Sequence, residues 1–181
     1  GGVPPYRFSV TGQGTMVDAT FVAPGRAGQS IVDVADVEGR TGRATIEYRG
    51  DRLFLAGGFI GGIASASVLA SSDGVTWAAI GNLPAARGNG AFTVYDDRMF
   101  YLGGLNAANA STTTVWTSTD GAAWTQVGAL PVANTGFTAT VHAGELWYVG
   151  GATAQGNSGL AYHTVDGATW TSAAATLTPA R

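Results

Sequence analysis

"SSDGVTW", residues 71–77, returns as "STDGAAW" at 118–124 and as "TVDGATW" at 164–170. Trp77, Trp124 and Trp170 stand 47 and 46 residues apart, and self-similarity at such a fixed period marks a repeated architectural unit. An Asp at the head of a turn accepts hydrogen bonds from the N–H groups just ahead of it, and the Gly that follows tolerates the positive φ of a tight turn. Asp73, Asp120 and Asp166 are therefore expected to pin one hairpin in each unit. Trp77, Trp124 and Trp170, four residues further on, each open a strand with a large apolar surface suited to packing between neighbouring units. Carboxylates that recur once per unit would lie far apart in space, which argues for structural turns rather than a shared metal or acid site.

Gly57-Gly58, Gly103-Gly104 and Gly150-Gly151 keep the same period. Each pair ends an apolar run, "RLFLA", "RMFYL" or "ELWYV", and just upstream, across the short turns "RGD", "DD" and "AG", lie "ATIEY", "AFTVY" and "TATVH". That pattern predicts a hairpin in every unit. After the Gly pair come a variable stretch, a third strand ("SASVLASS", "TTTVWTST", "GLAYHTV"), the Asp-Gly turn and a fourth strand at the Trp. Four strands in about 46 residues match one blade of a β-propeller. The expected fold is all-β, with blades at 44–90, 91–136 and 137–181. Three blades make an arc, and rings close with about four to eight, so the expectation is a partial propeller completed by further blades or by self-association.

The apolar hairpin ending in Gly-Gly, the variable loop and the Trp strand followed by "LPAAR" (83–87) or "LPVAN" (130–134) resemble the kelch repeat. "SSDGVTW" also resembles a shortened Asp-box, the motif of sialidase-type propellers. The resemblance spans residues 44–181, including the "TPAR" that would introduce another unit, and departs from the kelch pattern in its Asp-Gly turn.

Residues 1–43 carry neither Trp nor the Gly-Gly landmark of the repeat. Their stations "GGVPPYRFSV", "FVAPGRAG" and "VDVADVEG" resemble the later part of a bacterial immunoglobulin-like domain, a module that surface and adhesin-type proteins carry in tandem. The alternative is a degenerate fourth blade. "ATIEY" fits either module, ending a sandwich or beginning the first blade.

Composition narrows the function classes. The 181 residues are 45% hydrophobic and only 12% charged, with a net charge of −3 and arginine as the only strong base. Such a chain offers no basic stripe for nucleic acid. There is no cysteine for disulfide or thiolate chemistry, and no apolar run approaches the roughly 20 residues of a membrane-spanning helix. The chain begins Gly1-Gly2 without a signal-like segment and reads as a processed chain or a fragment.

Catalytic groups are sparse. His142 and His163 are the only histidines, and no triad or metal-ligand spacing connects them. Enzymes of the kelch and Asp-box classes use a copper site with Tyr, Cys and His, or an arginine cluster with a Tyr nucleophile; the sequence matches neither, so no catalytic residue, metal or cofactor is expected. "RGD" at 49–51 falls in a turn whose counterparts are "DD" and "AG", and is read as a turn former.

Recognition remains. The variable stretches hold Phe59 and Ile60 in the first unit, Asn106 and Asn109 in the second, and Gln155 and Asn157 in the third; Asn82, Arg87, Asn89 and Asn134 fall at the unit junctions. Amides with a few aromatics suit hydrogen bonding to a glycan or a protein backbone. The expected role is an extracellular or cell-surface bacterial module for binding, adhesion or assembly. The alternative is a fragment of a propeller-type carbohydrate-active enzyme.

Overall fold

The computed structural model describes residues 2–12, 15–22, 28–48 and 52–173. All of its regular structure is antiparallel β, and the chain divides into two compact units: Gly1–Leu53 with Ser71–Thr76, and Phe54–Ala70 with Trp77–Arg181.

In the first unit, β1 (Arg7–Gly12), β4 (Gly28–Ala35) and β5 (Thr41–Tyr48) form a sheet in the order β1-β4-β5, while β2 (Thr15–Val17) pairs with β3 (Thr20–Val22). "ATIEY", left open by the sequence, lies in β5 and pairs with β4 from Gly28↔Tyr48 to Val32↔Ala44. The turn from β4 to β5 is held by Asp36, which accepts the N–H groups of Glu38 and Arg40 at 3.0 and 2.8 Å and of Val3 at 3.0 Å. Those donors, Val3 first, hold its carboxyl below the usual range because they favour the ionised form.

The repeat builds three further sheets. The first contains β6 (Leu53–Ala56), β7 (Phe59–Ile60), β8 (Ile63–Ser71) and β9 (Ala78–Arg87), with β8 paired to all three others. The second runs β10 (Ala91–Tyr95), β11 (Arg98–Leu102), β12 (Thr112–Ser118), β13 (Thr125–Asn134) in that spatial order. The third runs β14 (Thr138–His142), β15 (Glu145–Val149), β18 (Ala161–Thr164), β19 (Thr171–Ser172), and β16 (Ala152–Thr153) and β17 (Gly156–Asn157) make a separate hairpin.

The expected first hairpin forms in the second and third sheets through two-residue turns. Asp96 and Asp97 have φ of 48° and 54°, and Ala143 and Gly144 have 51° and 78°, the positive pair that a tight hairpin turn needs to match strand twist. The first sheet differs. Its counterpart strand is β5, spent on β4, so β6 pairs with β8 without it. The "RGD" turn and "TPAR" lie outside the described residues.

The Gly-Gly landmark is a crossing point. Gly57, Gly103 and Gly150 donate their N–H to Ser67, Thr114 and Leu160, at 3.0, 2.9 and 2.9 Å. Gly58 and Gly104 donate to the carbonyls of Arg87 and Asn134 at 2.8 and 3.0 Å. A Cβ on Gly103 would sit 2.9 Å from the Asn134 carbonyl oxygen, and φ there is +54°, so glycine is required twice over.

Two apolar clusters join successive repeat sheets. Val68 and Leu83 of the first sheet pack with Tyr101 and Trp116 of the second. Phe100, Leu102, Val115 and Leu130 of the second pack with Leu146 and Tyr148 of the third. Strand β11 is buried on both faces for this reason: Met99, Phe100, Tyr101 and Leu102 are each 5% exposed or less. Backbone contact is just as close, because Gly81 and Gly128 leave room for the next unit's turn; a Cβ on either would lie 2.6 or 2.7 Å from the Cα of Ala122 or Ala168.

Candidate functional site: turn edge and loop edge

The three Asp-Gly turns share one geometry. One carboxylate oxygen of Asp73 accepts the N–H of Val75 and Thr76 at 2.8 and 2.7 Å; Asp120 accepts Ala122 and Ala123 at 2.8 and 3.0 Å; Asp166 accepts Ala168 and Thr169, both at 2.8 Å. The hydroxyl two residues upstream, of Ser71, Ser118 or Thr164, donates to that same oxygen at 2.9, 3.0 or 2.8 Å. It also accepts the N–H of the turn glycine at 2.9, 2.8 or 3.0 Å. The sequence reading missed this hydroxyl, although a Ser or Thr stands two residues before the Asp in every copy. Donation from two N–H groups and a hydroxyl favours the ionised carboxylate, and all three aspartates are held below the usual range. An oxygen so engaged has little basicity left for proton transfer.

The tryptophans diverge. Trp124 donates its indole N–H to the Gly121 carbonyl at 3.0 Å and packs near Phe92, while Trp170 packs edge-on against Tyr148 at 5.2 Å. Trp77 is 39% exposed.

The opposite edge of the repeat sheets gathers most of the binding candidates. The residue after the fourth strand of the first and of the second repeat sheet hydrogen-bonds to the residue after the following Gly-Gly pair: Gly88 with Leu105 at 2.9 and 2.7 Å, and Thr135 with Ala152 at 3.1 and 2.8 Å. The Asn89 carbonyl then links the two, accepting the N–H of Gly136 at 2.8 Å and the hydroxyl of Thr135 at 3.1 Å. Phe59 joins this row, since a Cβ on Gly88 would meet its ring. The result is a continuous edge on which Phe59, Ile60, Asn89, Asn109, Gln155 and Asn157 are exposed.

Several candidates sit in regular structure instead of open loops. Phe59 and Ile60 form β7, paired to Ala64 and Ile63, and Asn157 pairs with Ala152. Asn106 folds its own loop, its side-chain oxygen accepting the N–H of Ala108 and Ala110 at 2.9 and 3.0 Å, and Asn109 takes φ of 57° there. Asn82 lies in mid-strand opposite Ser67. Strands β9 and β13 run through the junctions because each absorbs its proline in a bulge: the register jumps from Ser67↔Asn82 to Ser65↔Arg87, and from Thr114↔Ala129 to Thr112↔Asn134.

Arg87 and Asn134 consequently end strands and are buried, 7% and 2% exposed. Asn134 donates to the Gly150 carbonyl at 2.8 Å and accepts the Thr135 N–H at 2.9 Å. Arg87 donates to the Ala86 carbonyl at 2.9 Å and the Thr114 hydroxyl at 3.2 Å, with its guanidinium 4.5 Å from the Trp116 ring centroid. Burial lowers its pKa from the usual arginine value. These two side chains secure the loop edge from beneath.

The histidines lie elsewhere, on the sheet β14-β15-β18-β19. His163 stacks on Trp147 at 4.5 Å with its Nδ1 2.9 Å from a Glu145 carboxylate oxygen, and His142 meets the same indole edge-on at 6.4 Å. Among the described residues no group of three or more His, Cys, Asp or Glu is placed to hold a metal ion. No described helix is long and apolar enough to cross a membrane. In the first unit a cavity of about 370 Å³ is lined by Gly2, Tyr6, Val34, Asp36, Arg40, Thr41 and Gly42, but its carboxylate is already engaged by backbone donors.

These sheets and edges define an all-β protein with repeated, face-packed antiparallel sheets. No protein-family model matches the chain, and no curated protein matches it. Among solved structures it is similar to that of YjhT, with a TM-score of 0.54 and 16% identity over 79% of this chain and 52% of that one. At that identity the likeness concerns the fold alone, and the chain spans about half the length of YjhT.

Proposed function

We propose that this chain is a non-enzymatic, extracellular or cell-surface binding module in which kelch-like propeller blades present their loop edge to a glycan or protein ligand. The observation that carries the reading is the linked row Gly88–Leu105, Asn89–Thr135–Gly136 and Thr135–Ala152, which holds neighbouring loops in register. Above that row stand an exposed aromatic, Phe59, and the amides Asn89, Asn109, Gln155 and Asn157. Loops whose backbone is already held in place spend little loop entropy on binding, and glycans and peptide backbones both offer the alternating donors and acceptors that amides match. The carboxylates of the three repeated turns, Asp73, Asp120 and Asp166, are each engaged by backbone N–H groups and a hydroxyl. The surface setting follows from the resemblance of residues 1–43 to a bacterial immunoglobulin-like module.

A glycan array and a peptide array probed with the 181-residue chain test this. Binding that falls at least tenfold in both Phe59→Ala and Gln155→Ala, with Asp120→Asn unchanged, is the expected result. A ligand insensitive to both loop-edge variants would move the site elsewhere.

A further inference from the structure

Arg87 is a buried charge with no opposite charge beside it. The residue is 7% exposed, and its guanidinium meets the Ala86 carbonyl at 2.9 Å, the Thr114 hydroxyl at 3.2 Å and the Trp116 ring at 4.5 Å. None of these partners is a carboxylate, and the Nε–H is buried without an acceptor. Buried charges are ordinarily paired, because an ion held out of water without a counter-charge is costly. The carboxylates of the second unit all stand at the other edge of its sheets. Asp96, Asp97 and Glu145 lie at the first hairpin turns, and Asp120 and Asp166 head the Asp-Gly turns. Arg98 is there too, 3.7 Å from Asp96. Among the described residues of this unit, Arg87 is the one charged side chain at the loop edge. An apolar hairpin flanks it. Gly58 donates its N–H to the Arg87 carbonyl at 2.8 Å, and a Cβ on Gly88 would meet the Phe59 ring. Ile60 and Ile63, opposite each other across the Gly61-Gly62 turn, are 69% and 72% exposed.

We propose that the ligand of the loop edge is an acidic peptide, whose Asp or Glu carboxylate pairs with Arg87 while a neighbouring apolar side chain lies against Phe59, Ile60 and Ile63. The assignment rests on the loop-edge reading and adds the chemistry of the ligand to it. A guanidinium offers its Nε–H and a terminal N–H as a planar fork that matches the two oxygens of a carboxylate, and in Arg87 the Nε–H is the arm without an acceptor. Because that arm is covered in the free chain, binding draws the side chain outward from the Trp116 ring. The aliphatic pair at the hairpin tip favours a peptide over a glycan, since sugar hydroxyls laid against Ile60 and Ile63 would lose water and gain no hydrogen bond.

The 181-residue chain is applied to a peptide array in which every Asp or Glu peptide is printed beside its Asn or Gln counterpart, and to a glycan array carrying acidic sugars beside their methyl esters. The expected result is retention of peptides that place Asp or Glu next to Leu, Ile or Phe, with a loss of about tenfold when the acid becomes its amide. Arg87→Gln should erase that preference, and Arg87→Lys, which keeps the charge but not the fork, should retain part of it. Far-ultraviolet dichroism checks that both variants fold, and the comparison of acid with amide on the unaltered chain stands without them. Peptide binding that is lost in Gln155→Ala but indifferent to the acid would overturn this inference and leave the loop-edge reading intact. Acid preference that survives Arg87→Gln, or acid-dependent binding confined to the glycans, would also overturn it. Silence on both arrays would overturn the loop-edge reading and this inference together.

Discussion

Strands β6 and β11 occupy the same place in their sheets and read alike, "RLFLA" and "RMFYL", yet their surroundings differ sharply. Met99 and Tyr101 are 5% and 2% exposed, whereas the corresponding Leu53 and Leu55 are 56% and 50%. Tryptophans tell the same story, since Trp124 and Trp170 are partly covered and Trp77 is exposed. Local pattern sets which side chains share a face. Coverage of that face is a property of the neighbour, so a repeated residue carries different energetic weight at each repeat.

The largest effect should come from the doubly covered strand. Phe100→Ala removes a ring with no exposure and is expected to cost about 3–5 kcal/mol, whereas Leu55→Ala should cost less than about 1 kcal/mol. Denaturant midpoints measure both, and equal losses would break the comparison. Next comes close backbone approach: Gly128→Ala would push a methyl to 2.7 Å from the Ala168 Cα, at a cost of about 1–3 kcal/mol.

Removing a turn carboxylate is a smaller perturbation. Asp120→Ala strips acceptors from Ala122, Ala123 and Ser118 and should lower Tm by about 5 °C. The turns also set a pH dependence. Because folding depresses the Asp73, Asp120 and Asp166 pKa values below the reference 3.8, their contribution is complete above that pH. It is lost as the pH falls through the folded values. A Tm profile should therefore fall steeply only below about 3.8, and Asp120→Ala should flatten it. The smallest change is a gain. Ala143 is held at φ of 51° in an exposed turn, so Ala143→Gly should raise stability by about 0.5–1 kcal/mol, while the same exchange at the extended Ala139 should lower it.

Much of the repeat was legible because its signals are local. The Asp of each turn binds N–H groups two and three residues ahead, and the Gly-Gly positions announce backbone that other side chains cannot adopt. Gly81 and Gly128 keep the same period, each four residues after a tryptophan, but went unread because their purpose needs the partner turn to be seen. The loop edge was read less well. Asn82, Arg87 and Asn134 fall at the unit junctions in the sequence, but the structure absorbs Pro84 and Pro131 in bulges and carries the strands through those junctions. Arg87 and Asn134 then turn inward, donating to the Ala86 and Gly150 carbonyls.

By itself the sequence determined the all-β class, the 46–47-residue unit and the turn chemistry, since each depends on contacts only a few residues long. Tertiary structure alone decided that "ATIEY" pairs with β4 and that identical positions are buried in one sheet and open in another. It also decided that distant asparagines line one edge. Pairing and coverage are choices among competing long-range partners, and a strand's own residues state which face it offers, never which neighbour will take it.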